Sequence, residues 1–478
     1  MPTTLTVAPP ESSPAPRAPS RRGLGAAVAV IAFALAVTGT AYVLRIDAAD
    51  SGPYVEFPYS DAQAVDAPPL AAAGPTGIAL ANAATQATID RLVSVTTTSA
   101  SPGQLALLAR LLLQRAAVTG DADTYTRAIT ALDRALALAP ASLDVRAQRA
   151  AARLTTHDFI GAAQDAAQVL AISPDNPGAL GASYDAAFET GNYTLAETRL
   201  ARLVQLGPNA PQVLFRQARW ATLHGDKAGA ISFASRAQAS AIASGAVGTG
   251  RATYDLISGK QALDDGRYSV AIGAYESALA AAPGWHAALA GLGRARAAAG
   301  DLVGAEQALA LAADTLPLPE TLSALGNIRM ALGDEAGAAL AYGTVDVVAR
   351  LESVQRLFNR AIVLSRADRG TDTAVAVRDA RAEFSIRHDV YGYDALGWAL
   401  LANGQVEQAV RYADESLALG TLDPRLFAHA GLAHAAAGNT ARARTLLTEA
   451  IAMSPNVDPL LMNRVTAALA ALPTGAGA

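Results

Sequence analysis

The sequence predicts an all-α fold, a solenoid of stacked helical hairpins preceded by one transmembrane helix. Three observations carry that expectation. The first is a pattern written twice between Ala252 and Pro319, ATYDLISGKQALDDGRYSVAIGAYESALAAAPGW and then HAALAGLGRARAAAGDLVGAEQALALAADTLPLP. Gly259 falls on Gly293, Gly266 on Gly300, Ala271 on Ala305, Ala278 on Ala312 and Pro283 on Pro317, a period of 34 residues. Such a period marks a stacked array rather than a single core. The second is composition: hydrophobic residues make up 51% but aromatics only 5%, with alanine dominant, which suits closely packed helices better than sheets. The third is Gly23 to Leu44, a stretch without one charged residue.

Composition also sets what the chain is not expected to do. Its 478 residues would suggest about three domains, but an array grows by adding neighbours and overrides that count. With no cysteine, disulfides and thiolate metal sites are excluded. A net charge of −5 and the lack of any Lys/Arg-rich run argue against nucleic acid as a partner.

Along the chain, residues 1–22 are rich in Pro, Ser and Thr and predict a disordered cytoplasmic tail. Arg17, Arg21 and Arg22 then precede 23–44. As a helix this segment spans roughly 33 Å, enough for a ~30 Å hydrocarbon core. A cleaved signal peptide shares the basic-then-apolar order, but its apolar part is shorter, and Gly39-Thr40-Ala41 is the only small-x-small candidate near the end. The three arginines before the span, against Arg45 among Asp47, Asp50, Glu56 and Asp61 after it, put the N-terminus in the cytoplasm. The chain is therefore expected at the cell membrane, single-pass, with its repeats extracytoplasmic. Residues 45–101 predict a partly helical linker, with a short helix over Ala81 to Val93 and an array entry at Pro102 and Gly103.

Residues 102–459 predict about ten repeats. One column of alanines runs through Ala128, Ala162, Ala196, Ala230, Ala271, Ala305, Ala338, Ala374, Ala409 and Ala443. Five places before it stand Gly191, Gly225, Gly266, Gly300, Gly333, Gly404 and Gly438. Twelve places after it stand Pro140, Pro174, Pro208, Pro283, Pro317 and Pro455. The glycine predicts a left-handed stop to a first helix, and Asn192, Asp226, Asp301, Asp334 and Asn439 after it predict caps for a second. The alanine lets the two helices cross closely, and the proline ends the second helix. Two places depart from the pattern. Ala239 to Arg251 lengthens one repeat by seven residues and predicts a flexible loop. Residues 350–390 are degenerate, with Arg356, Arg360, Arg366, Arg369, Arg378, Arg381 and Arg387 at irregular spacing. Residues 460–478 predict a capping helix, over Val465 to Leu472, and a disordered tail.

These columns, with Tyr275 and Tyr342 at the twenty-fourth place, resemble the tetratricopeptide repeat family, and its bacterial membrane-anchored members in particular. The resemblance implies that the first helix of each hairpin lines a concave groove into which its ninth place points. That row reads Ala151, Asp185, Arg219, Lys260, Arg294, Asn327, Trp398 and Leu432. Arg219, Lys260 and Arg294 are then expected as a solvated basic row for an acidic segment or a C-terminal carboxylate, with Asn327 beyond it and Tyr391 and Trp398 as aromatic anchors. The family's carboxylate clamp is not expected, because Ser323 stands where that clamp has lysine.

No motif of catalysis, phosphate binding or metal ligation accompanies the repeats, so neither enzyme activity nor a cofactor or metal is expected. Gly245, Gly248 and Gly250 do not follow a strand, and His429 and His434 are five apart, off the i,i+4 spacing of a helical ligand pair. The expected function is a membrane-anchored scaffold that binds proteins or peptides outside the cytoplasm, in cell-envelope assembly or complex maturation. The rival expectation is a signalling component with cytoplasmic repeats.

Overall fold

The computed structural model describes residues 75–246, 248–354, 359–456 and 458–473. The expected tail at 1–22, the transmembrane helix at 23–44, the linker up to residue 74 and the tail from residue 474 lie outside the described residues, as does Arg356. Among the described residues helix is the sole regular secondary structure, and no helix there is long and apolar enough to cross a membrane.

Helix α1 (Pro75–Thr98) leads into ten hairpins. They pair α2 (Pro102–Thr119) with α3 (Ala122–Leu138), α4 (Leu143–Thr155) with α5 (Phe159–Ile172), and α6 (Pro177–Glu189) with α7 (Tyr193–Leu206). Next come α8 (Pro211–Leu223) with α9 (Lys227–Ala243), α10 (Gly248–Asp264) with α11 (Tyr268–Ala281), and α12 (His286–Ala298) with α13 (Leu302–Thr315). The last four pair α14 (Pro319–Ala331) with α15 (Glu335–Val354), α16 (Arg360–Arg369) with α17 (Thr373–Phe384), α18 (Val390–Ala402) with α19 (Val406–Ser416), and α20 (Pro424–Ala436) with α21 (Thr440–Met453). Helix α22 (Pro459–Ala471) closes the stack.

The repeat columns explain the hairpins physically. All seven glycines of the column take left-handed φ, between 69° and 88°, where a side chain would be strained. Behind them Asp226, Asp301 and Asp334 accept the backbone N–H of Gly229, Gly304 and Gly337 at 2.8–2.9 Å, which caps the second helices. Asn439 caps nothing with its side chain; its amide meets His434 instead. Ala271 and Ala305 are fully buried where the helices cross. The Tyr275 ring lies over the bare backbones of Gly259 and Gly291, so a methyl at Gly259 would stand 2.9 Å from it.

Four expectations are corrected. Ala374 is exposed and Ala376 takes the buried place, because the degenerate repeat shifts register by two residues. The seven extra residues near 239–251 make no long loop: they lengthen α9 and α10 to 17 residues each. The linker becomes helix earlier than Ala81, and α1 belongs to the array, since Ile89 packs with Leu105, Leu108 and Leu112 and Arg134 donates to the Thr96 carbonyl at 2.7 Å. The closing helix likewise starts at Pro459, six residues before Val465, with Asp458 capping it.

The first helices of successive hairpins also pack on one another, so they form the inner wall of a winding stack. The winding is tight enough that successive turns touch. Trp285 Nε1 donates to the Ala117 carbonyl at 2.9 Å across 168 residues, and Thr421 Oγ1 to the Leu223 carbonyl at 2.6 Å across 198. Similarly, the His388 N–H donates to the Thr190 carbonyl at 3.2 Å, and Tyr268 and Ser454 share a hydrogen bond of 2.8 Å. The longest separation, 198 residues, is close to six repeats of 34. Gly191 and Gly225 allow this docking: a methyl at either would run into the backbone of His388 or Gly420.

Candidate functional site: the inner groove

Charged residues on the inner wall face one another across the winding, and most of them pair. Arg219, expected as a solvated groove cation, is largely enclosed, its side chain 9% exposed. Its guanidinium donates to Asp185 at 3.1 Å and to Glu189 at 2.6 Å and lies 4.1 Å from the Phe188 ring centre. Asp185 also holds Arg216, and Glu189 holds Arg387 at 2.7 Å from the next turn. Arg387 and Arg360 in turn reach Glu383 and Asp389. Burial alone would push the Asp389 carboxyl up, but Arg360 and Arg387 beside it hold it below its ordinary value. The basic row fails at Arg219 for a physical reason: charge buried by the closing winding must find a partner, and Asp185, one repeat earlier in the same row, supplies it.

Of the other five expected residues, Tyr391, Trp398 and Asn327 lie at or behind one cleft of the inner wall, and Lys260 and Arg294 do not line it. That cleft is lined by Arg360, Leu364, Asp368, Tyr391, Asp394, Asp423, Arg425, Leu426, His429, Asp458 and Leu461, with about 60 Å³ of open volume. That holds on the order of four waters, too little for a peptide strand but enough for one carboxylate. Tyr391 lines the cleft directly. Trp398 is buried behind it, stacked on His429 with ring centres 4.1 Å apart and donating to Asp368 at 2.8 Å. It is therefore a support for the cleft rather than an exposed anchor. Asn327 donates to Asp458 at 2.8 Å and accepts from Tyr342 at 2.7 Å, so it fixes the cleft's rim. Lys260 pairs with Asp264 at 2.7 Å, and burial pushes the Asp264 carboxyl up against that lysine's pull. Arg294 is partly buried, and burial together with the nearby Arg425 lowers its guanidinium's affinity for its proton.

Sequence reasoning missed Arg425, Asp368, Asp394, Asp423, His429 and Asp458. Burial would lower the affinity of His429 for a proton, but Asp394, 2.9 Å from Nδ1, raises it above the ordinary value. Asp368 is pushed up by burial. Arg425 and Asp423 sit in the first turn of their repeat rather than at its ninth place, and only the tightness of the winding brings them inward. One signal was present: the irregular arginines of 350–390 enter ion pairs, Arg360, Arg366 and Arg369 with carboxylates of their own or a neighbouring repeat and Arg387 with Glu189 across the turns.

No group of three or more metal-ligating side chains stands together among the described residues. What the geometry defines is a scaffold for protein interaction, with a charged groove enclosed by stacked hairpins. Two family models agree, both described as tetratricopeptide repeat: one matches residues 153–214, the other 185–246, 258–318 and 395–458. The chain belongs to the tetratricopeptide repeat family. No curated protein matches the sequence. Among solved structures, it is similar to PilW, a widely conserved type IV pilus biogenesis factor, at 18% identity over 44% of this chain and 92% of that one, with a TM-score of 0.36. Human IFIT1 in complex with a capped oligonucleotide aligns at 14% identity over 77% of this chain and 95% of that one, TM-score 0.43. The Cut9-Hcn1 hetero-tetramer of APC/C aligns at 13% identity over 82% and 94%, TM-score 0.36.

Proposed function

We propose that this protein is a membrane-anchored scaffold whose repeats hold protein partners outside the cytoplasm, in the assembly or maturation of cell-envelope complexes in a bacterium. The observation that carries the binding role is the convergence of Tyr391, Arg425 and His429 on one cleft of the inner wall, where an aromatic face and charged groups meet. The partners fitted to it present acidic segments or a C-terminal carboxylate. Anchoring and orientation rest on the sequence, on the uncharged stretch 23–44 behind Arg17, Arg21 and Arg22. A reporter active only outside the cytoplasm, fused after Ala478, tests the topology: activity supports the extracytoplasmic reading, and silence with cytoplasmic fluorescence from a matched fusion favours signalling inside. Crosslinking in native membranes, followed by identification of the adducts, tests the scaffold role.

A further inference from the structure

The seam between successive turns of the winding has a regular step. The turn inside a hairpin docks at the end of the hairpin five places later. A methyl at Gly120 of the first hairpin would meet Leu316 after the sixth, and one at Gly191 of the third would meet His388 after the eighth. Likewise Gly225 of the fourth faces Gly420 after the ninth, and Gly266 of the fifth faces Met453, which ends the tenth. Carbonyls left over at the ends of first helices are satisfied at the same step, Thr190 accepting from His388 and Leu223 from Thr421. The step leaves two sets of features unused: the loops after hairpins 1–3 at one end, and the turns inside hairpins 7–9 at the other.

Both sets carry the chemistry that the seam buries elsewhere. Ten residues beyond the alanine column of a second helix stands an apolar side chain. Where a turn lies beneath it, it is covered: Leu419 packs against the core that holds Leu203 and Leu223, and Met453 shares a crevice with Gly225, Ala230 and Leu422. At the first end the same place holds Leu138, Ile172 and Leu206, which are 56%, 72% and 43% exposed. One exposed leucine means little, but three in register, at a place covered later in the array, form a surface. At the other end Gly333, Gly370 and Gly404 take the left-handed φ of Gly191 and Gly225, yet among the described residues a methyl on any of them would meet no atom within 4 Å. Met330 and Leu332, 39% and 42% exposed, add apolar area beside Gly333.

We propose that the turns of hairpins 7–9 dock on the loops after hairpins 1–3 of a second copy of this chain, so that copies stack end to end and continue the winding. The register follows from the step. Helix α22 packs on α20 as the first helix of an eleventh hairpin would. Helix α1 packs on α2 as a second helix packs on the next first one, with Ile89 against Leu105 and Leu112. With α22 of one copy and α1 of the next counted as the eleventh hairpin, five places beyond hairpins 7, 8 and 9 fall the loops of Leu138, Ile172 and Leu206. The two surfaces differ, so the contact is heterologous and extends rather than closes. The inference goes beyond the scaffold reading and uses neither its cleft nor its anchor.

The chain has no cysteine, so introduced thiols report the contact without background. Full-length Leu138→Cys and Leu332→Cys chains in detergent are treated with a short bismaleimide, separately and mixed. The stacking predicts a crosslinked dimer from the mixture and none from either variant alone, and a ladder of multimers from a chain carrying both substitutions. Leu311→Cys, equally exposed on α13 but at neither end, should give no dimer with Leu138→Cys. In sedimentation velocity the wild-type mass should rise with concentration. Leu138→Asp combined with Ile172→Asp should abolish that rise with Tm unchanged, since both side chains are exposed, whereas Leu311→Asp should leave it intact. A dimer from Leu138→Cys alone would mean that like faces pair, and overturns the stacking. So does a monomer at all concentrations. In that case a thiol at position 138 that resists maleimide places other residues of the same chain over this face, and a reactive one leaves it bare.

Discussion

The Arg387 guanidinium donates to the Glu189 carboxylate at 2.7 Å although 198 residues of chain lie between them. Glu189 also accepts from Arg219 on the neighbouring repeat, so one carboxylate joins the inner wall of one turn to the seam of the next. Around it Asp185, Glu189, Glu383 and Asp389 face Arg216, Arg219, Arg360 and Arg387, four charges of each sign, all buried except the largely enclosed Arg219. Balance is what allows so many charges away from water. The network therefore acts as a clasp between turns.

Breaking one member should be costly. Arg387→Ala leaves Glu189 and Asp389 short of a partner, and a loss of about 3–5 kcal/mol is expected, typical for half of a buried pair. Arg202→Ala removes an exposed, solvent-screened pair with Asp175 and should leave the denaturant midpoint nearly unchanged. Denaturant melts of the two variants read the difference, and equal losses would contradict a buried clasp.

The helix crossings give a second contrast. Ala271 is fully buried in the core around Tyr275 and Trp285, so Ala271→Glu places a carboxylate there without a partner and should destabilise by several kcal/mol. Glu276, exposed beside Arg296, should tolerate Glu276→Ala within about 0.5 kcal/mol. Circular dichroism melts with the same midpoint for both variants would contradict the repeat register.

A third prediction concerns pH. Burial, then the charges of Arg387 and Arg360, lowers the His157 imidazole to about 3, and its ring stacks on Phe159 at 5.4 Å. The unfolded chain binds this proton near the ordinary value, about 6.5. Between those two values the unfolded state holds more protons, so stability present above pH 6.5 is lost as pH falls toward 3. His157→Asn, which tolerates the left-handed φ of 57° at this position, should flatten the fall between pH 6.5 and 4. Denaturant midpoints measured across that range test it; unchanged slopes would show that His157 is not a source of acid sensitivity.

The hairpins were legible because each repeat states its own local physics. A left-handed glycine, an Asp cap and a buried alanine recur at fixed places, and Gly300, Asp301 and Ala305 behave in space as their spacing predicts. The degenerate repeat was less legible, since Ala374 and Ala376 both fit a column of small residues and only burial tells them apart. The groove was read in part. Its row of ninth places was visible, but the pitch of the winding is set by contacts such as Trp285 with Ala117 and Thr421 with Leu223, which no local pattern encodes. That pitch determines that Arg219 is clasped, that Trp398 supports rather than grips, and that Arg425 points inward.

The claim that the inner groove binds a protein partner is tested most directly by site-specific photo-crosslinking in native membranes. Tyr391, in the cleft, and Glu276, on the exposed side of α11, are each replaced by benzoylphenylalanine, and adducts are resolved by mass. The account predicts a discrete adduct from position 391 and none from position 276. Adducts from position 276 with none from 391 would contradict it and place the binding surface outside the groove.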